Sequence, residues 1–179
     1  MRKMFVAFVV AMLAAPLPLA AQQQSNGKDA AANEPKIEVS RNGDWEVACQ
    51  EAEKDKKKVC EMRQILVQKD TNREWLRIAV SYGPSKEPVL RIFTPLGVLL
   101  QPGMELKVDD SSPLRLQYAV CLSNPPRCLV AGPMDDKLVS LLKRGNKGTI
   151  TFVLPNNKKV AAPFSLNGFT KSLSSLPQG

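Results

Sequence analysis

The chain has 179 residues, 25 Lys and Arg against 17 Asp and Glu, a formal net charge of +8, and four cysteines but no histidine. Without histidine there is no Ser-His-Asp or Cys-His nucleophile activation, no imidazole metal ligand and no histidine proton shuttle. Aromatic residues make up 6% of the chain, and no run alternates them with basic residues, which argues against a nucleic-acid binder.

Arg2 and Lys3 precede an unbroken apolar run from Met4 to Ala15 that is closed by Pro16 and Pro18, and Leu19-Ala20-Ala21 offers small residues for cleavage. We expect a cleaved secretory signal peptide over residues 1–21. The run falls short of the roughly 20 apolar residues a spanning helix needs, so no transmembrane segment is expected after cleavage. Lipid anchoring would require a cysteine at the cleavage point, and the first one is Cys49. Cleavage removes Arg2 and Lys3 and no acidic residue, which lowers the formal charge from +8 to +6. That balance suits contact with anionic envelope surfaces, although net charge does not identify a partner. Residues 22–42 are small and polar without periodicity and read as a flexible leader. Residues 43–179 have the length of one domain.

Within that domain, apolar residues recur with period two and are interrupted at short intervals by Gly, Pro, Asn and Asp, the pattern of a mainly β sandwich or barrel. Trp45, Val47 and Cys49 alternate with Asp44, Glu46 and Ala48, and Leu76, Ile78, Val80 and Tyr82 alternate with Arg77, Ala79 and Ser81. Further strands are predicted over 58–68, 88–94, 98–101, 104–109, 113–121, 127–132, 148–154 and 159–166, with Asn156-Asn157 as a hairpin turn. Residues 135–145 predict a short helix: Asp135 and Asp136 open it, Lys143 and Arg144 close it, Gly145 follows, and Leu138, Leu141 and Leu142 share a face. A second short helical turn is expected over 169–176.

Four cysteines allow three pairings, and spacing alone does not choose among them. Geometry ranks them. Placing Cys49 opposite Cys60 in an antiparallel hairpin sets Val47 against Met62 and Trp45 against Gln64 on one face, with a Cα separation that a disulfide tolerates. Cys121 and Cys128 bracket a turn rich in Asn and Pro. We therefore expect Cys49–Cys60 and Cys121–Cys128, both structural, in an oxidising compartment. Neither pair has the Cys-x-x-Cys spacing of redox motifs. Cys121 shares strand parity with Arg115, Gln117 and Ala119 and not with Leu114, Leu116, Tyr118 and Val120, so that bridge is expected at an edge or after a bulge.

The order Trp45-x-Val47-x-Cys49, Cys60-x-Met62-x-Gln64, an apolar strand into Gly97 with Pro102-Gly103 after it, Cys121 and Cys128, a Leu-rich short helix, and a closing Asn167-Gly168-Phe169 resembles the invasion-associated locus B family of exported Gram-negative proteins. The resemblance covers residues from about 43 to 176. It implies an immunoglobulin-like antiparallel β-sandwich, a periplasmic, outer-envelope or secreted location, and no established catalytic activity. It carries over the cysteines and Trp45 as structural positions and brings no cofactor, metal ligand or catalytic residue with it.

Among residues outside that pattern, Asp109-Asp110 and Asp135-Asp136 are the candidates for carboxylate chemistry, but adjacent aspartates diverge on a strand or helix and read better as a turn and a helix start. The loop Lys54-Asp55-Lys56-Lys57-Lys58 joins the stapled strands. Its Lys54, Lys56, Lys57 and Lys58 are candidate contacts to an anionic surface, or else a solvated tip that deters edge-to-edge association. Arg63, Arg77 and Arg91 alternate with apolar residues on successive strands and are expected to form a basic stripe or an ordinary solvent face. The favoured function is a non-catalytic envelope module that binds an envelope or host-surface protein, a glycan or an anionic lipid head group. The alternative is a structural or stress-related periplasmic protein without a specific ligand, with a carboxylate-based hydrolase more distant.

Overall fold

The computed structural model describes residues 37–52 and 57–178. The expected signal peptide lies outside the described residues, as does the leader up to residue 36. The described residues form eleven strands and two helices in the order β1 (Glu38–Asn42), β2 (Trp45–Glu51), β3 (Lys58–Val67), β4 (Glu74–Tyr82), β5 (Pro88–Thr94), β6 (Met104–Val108), β7 (Leu114–Leu116), β8 (Val120–Ser123), β9 (Pro126–Pro133), α1 (Asp136–Arg144), β10 (Lys147–Val153), β11 (Lys159–Ser165) and α2 (Phe169–Ser174). They build a mainly β, immunoglobulin-like sandwich of two antiparallel sheets, a larger one ordered β1-β2-β3-β4-β5-β9-β8 and a smaller one ordered β11-β10-β6-β7.

Period-two alternation puts one set of side chains from each sheet into a shared core. Val47, Met62, Ile78, Val80 and Ile92 from the larger sheet meet Met104, Leu106, Val108, Ile150 and Phe152 from the smaller one, all nearly inaccessible to solvent. Helix α1 starts where expected: the Asp135 carboxylate accepts the Leu138 N–H at 2.7 Å, and the Gly145 N–H donates to the Leu141 carbonyl. Leu142 is buried and Leu138 and Leu141 are partly so, on one face of the helix.

At one end the two sheets are joined by a polar latch. The Gln64 side chain reaches the last residue of β11 and pairs with its backbone on both sides: Nε2 donates to the Ser165 carbonyl at 3.0 Å, and Oε1 accepts the Ser165 N–H at 2.9 Å. The Trp45 indole N–H also donates to the Ser165 carbonyl, at 2.9 Å, and Gln64 Nε2 is within 3.1 Å of the Asp44 carbonyl. Phe169 meets the Trp45 ring edge-on at a centroid distance of 5.2 Å. Two glycines permit this approach. Gly43, at φ +57°, lies against the Asn167 backbone, and Gly168, at φ +89°, lies against the Asn42 carbonyl, so that a Cβ on either would collide. The Asp44 N–H donates to the Asn167 carbonyl at 3.1 Å. β11 is an edge strand, and this end of it is capped by a side chain; two residues back, Pro163 has no N–H to offer a further strand.

Three expectations are corrected. Residues 38–42, assigned above to a flexible leader, form β1, paired with β2 from Glu38↔Cys49 to Asn42↔Trp45. Its side chains are largely exposed, so the strand rests on ladder hydrogen bonds and surface pairs and has no hydrophobic alternation to announce it. Residues 98–101 are not a strand: they pass along the core as a loop, with Val98 buried and the Leu99 N–H on the Val153 carbonyl, between Gly97 and Pro102. The single strand expected over 113–121 is two, β7 in the smaller sheet and β8 in the larger. The crossing at 117–119 resets the alternation, which is why Cys121 lies opposite Cys128 although its parity along a continuous strand would be wrong.

Gln64→Leu keeps the volume but strips the partners from the Ser165 N–H, and about 2–3 kcal/mol of stability should be lost as a lower midpoint at unchanged m-value in urea titration. A variant within about 0.5 kcal/mol of the parent would mean that the latch is dispensable.

Candidate functional site

The hairpin β2–β3 carries the first disulfide between directly opposed residues, with Cys49 and Cys60 Cα atoms 4.1 Å apart. Val47 faces Met62 on the same inner surface, and both are buried. The second disulfide joins Cys121 and Cys128, also directly opposed, at 3.9 Å between Cα atoms. It ties the edge strand β8 to β9; Cys128 is buried and Cys121 is exposed. No cysteine is left free.

Of the lysine-rich loop, Lys54, Asp55 and Lys56 lie outside the described residues. Lys57 and Lys58 are exposed, and the Ala52 N–H donates to the Lys57 carbonyl at 2.8 Å just beyond the disulfide. Lys58 Nζ pairs with the Glu38 carboxylate of β1. Both partners are more than half exposed, so the pair leaves most of the ammonium field in water and adds little stability.

Arg63, Arg77 and Arg91 do share the outer face of the larger sheet, on β3, β4 and β5. Register places Arg63 beside Ala79 and Ala79 beside Arg91, while Arg77 lies between Ile65 and Phe93. They are not equivalent. Arg63 pairs with Glu46 at 3.4 Å, and Glu46 also holds Arg41 at 2.6 Å. Arg77 pairs with Glu74 at 2.5 Å, and Arg127 approaches the same carboxylate at 3.8 Å. The guanidinium groups of Arg77 and Arg127 are 6.0 and 5.2 Å from the Phe93 ring centre. Arg91 differs from these: its NH1 donates to Ser81 Oγ at 2.5 Å, and among the described residues no carboxylate pairs with it. Sequence reasoning did not single out Arg127, which lies near the start of β9. Its alternation with buried Cys128 and Val130 was the available signal.

One aspartate of each doublet has structural employment. The Asp109 carboxylate accepts the N–H groups of Asn146 and Lys147, each at 3.0 Å, and Asp135 caps α1. Among the described residues no three His, Cys, Asp or Glu side chains come together as a metal site. Tyr118, in the crossing between sheets, has its phenol pushed above the usual tyrosine range by burial, with the neighbouring Thr94 hydroxyl pulling the other way. Thr94 is itself buried and its Oγ1, like Tyr118 OH, lacks a well-formed hydrogen bond.

Comparison with known proteins matches this architecture. A family model described as invasion associated locus B (IalB) protein matches residues 45–177. Two proteins of Brucella abortus, from strain 2308 and from biovar 1 strain 9-941, each named as an invasion protein B homolog, are 33% identical over 131 residues, which is 73% of this chain and 73% of theirs. The crystal structure of invasion associated protein b from Bartonella henselae superposes with a TM-score of 0.65 at 23% identity, covering 76% of this chain and 92% of that one.

A phenol whose pKa is raised by folding contributes stability that is present below the unfolded value near 10 and lost as pH climbs through the folded one. Unfolding free energy should therefore decline above about pH 10, and Tyr118→Phe should remove that part of the decline. Parallel pH profiles of the two proteins would contradict the assignment.

Proposed function

Because the chain belongs to the invasion associated locus B family, we propose that it is an exported, non-catalytic binding module of the Gram-negative envelope, working in the periplasm or at the cell surface. The relatives bear names given for invasion and not for a reaction. The absence of histidine from the whole chain points the same way, and one carboxylate of each doublet is taken up by backbone N–H groups, Asp109 by Asn146 and Lys147 and Asp135 by Leu138. Two disulfides, each on directly opposed strand residues, suit an oxidising compartment and a protein that must persist there. The N-terminal signal read from the sequence supplies the route.

The observation that carries the binding reading is the stapled hairpin tip. A disulfide and the Ala52–Lys57 backbone bond close the loop at its base, where the described lysines, Lys57 and Lys58, are exposed. Lys54, Lys56, Lys57 and Lys58 form the contact in this reading. They present up to four positive charges to a phosphate- or carboxylate-bearing surface, each worth about 1 kcal/mol close to an anionic membrane. The same tip would serve against an envelope or host-cell surface.

Replacing the four lysines with Ser should abolish retention on anionic envelope preparations at low salt, a loss of more than about a hundredfold in partitioning at that energy per charge. The parent's retention should itself fall steeply as salt is raised. Unchanged retention of the quadruple variant would refute the tip as the contact.

A further inference from the structure

We propose that the outer face of the larger sheet, beside the Cys49–Cys60 staple, docks on a phospholipid bilayer and seats an amine-bearing phosphodiester head group between Arg91 and Glu61. This rests on the surface-binding reading above and names the ligand chemistry and a second set of residues. The register of β1, β2 and β3 arranges the face in rows. Residues 39, 48 and 61 form one, and residues 41, 46 and 63 form the next, which continues through Ala79 to Arg91. Ile37 and Val59 flank Gln50 one row outward, toward the stapled end.

The outer rows expose aliphatic side chains beside Gln50 and Glu61 where a solvent face should be polar throughout. Ile37, Val39 and Val59 are 56%, 51% and 52% exposed, grouped at one end of the sheet. Such a grouping beside basic residues is the pattern of an interfacial membrane contact, apolar side chains entering the head-group layer while the charges meet phosphate. Behind this apolar rim lies a depression of about 320 Å³ that includes Glu61, Ser81 and Arg91 in its lining. Arg91 is the guanidinium of the face without a carboxylate partner among the described residues, and its bond to Ser81 holds it in place to receive a phosphate oxygen. Glu61 precedes Met62, which pairs with Val80, so continuing the antiparallel register by one residue sets Glu61 opposite Ser81, and both line the depression. Among the described residues Glu61 pairs with no cation. A lone phosphate would meet this carboxylate as a repulsive neighbour. A head group with an ammonium beside its phosphate satisfies both charges.

The test uses the chain from Gln22 onward, which contains every described element, with two kinds of vesicle matched in phosphatidylglycerol content, one completed with phosphatidylethanolamine and the other with an uncharged lipid lacking the amine. The parent should favour the first kind. Arg91→Gln should weaken partitioning to both by about fivefold, the equivalent of one basic residue near an anionic surface. Glu61→Gln should erase the preference between them. Val59→Trp should give an indole whose emission shifts to the blue on binding and is quenched by brominated acyl chains. A preference that survives Glu61→Gln, an Arg91→Gln variant that binds like the parent, or an unquenched indole would each overturn the proposal. So would binding of soluble phosphoethanolamine by a protein that ignores vesicles. Retention on envelope preparations without vesicle binding sinks this inference and leaves the lysine tip standing; vesicle binding that survives the four lysine replacements but falls with Arg91→Gln does the reverse.

Discussion

The fold turns on one buried amide. Two sheets packed face to face have apolar contact over most of their area, which is favourable but tolerant of sliding, because the hydrophobic effect has no direction. Gln64 supplies the direction. Its carboxamide matches a backbone N–H and C=O in spacing and polarity, so it pairs with Ser165 as a strand would, yet it projects from the other sheet. A register slip of one residue in β3 would send Gln64 outward and leave the Ser165 N–H unpaired at the edge of a dry core. The latch therefore fixes β3 against β11, and with them the two layers.

Trp45, Gln64 and Asn167-Gly168-Phe169, part of the pattern that identifies the chain in sequence, also build this latch. Trp45 donates to the same carbonyl, Gly43 and Gly168 let the two turns touch, and Phe169 packs on the indole. The tightness of that cluster explains why the ends of the domain carry such specific residue types: each is restricted by positive φ, by a hydrogen bond or by ring packing. The disulfides do different work. Both lie in hairpins, where they tie strands that are already neighbours, and each closes a short loop. Their entropic contribution, about 2.5 to 3 kcal/mol on the chain-entropy model, matters most for the edge strand β8, which pairs on one side only.

Much of this was legible in the sequence because burial writes itself as alternation. Strands β2 to β5 and β10 and β11 show it, and α1 shows its caps. What failed to show was structure held by something other than an apolar face. β1 is a ladder with exposed side chains, so composition read it as leader. The 98–101 loop has apolar residues because it lies along the core, and Gly97 and Pro102 were the sign that it does not extend. The break at 117–119 was visible only as the wrong parity of Cys121. Gln64 was placed by register opposite Trp45, but its partner lies 101 residues away in the chain, beyond what local pattern can reveal. On the arginine face, position was legible and pairing was not, since Glu46 and Glu74 neutralise neighbours by side-chain reach.

These facts also locate where function has room to act. A family signature consumed by a latch constrains folding and says little of a ligand, because the Gln64 carboxamide and the Trp45 indole N–H are both spent on backbone groups inside the protein. Chemistry that recognises another molecule must come from groups the fold leaves unspent. On the outer face, ion pairs account for Arg41, Arg63, Arg77 and Arg127 to differing degrees, and surface pairs of that kind are cheap to rearrange. Arg91 is held by a neutral hydroxyl instead of a carboxylate, which orients the guanidinium without cancelling its charge. A stapled scaffold that orients a charge, leaves it uncancelled and carries exposed aliphatic side chains on the same sheet face, at Ile37, Val39 and Val59, bears a desolvation cost that only a partner of matching polarity offsets.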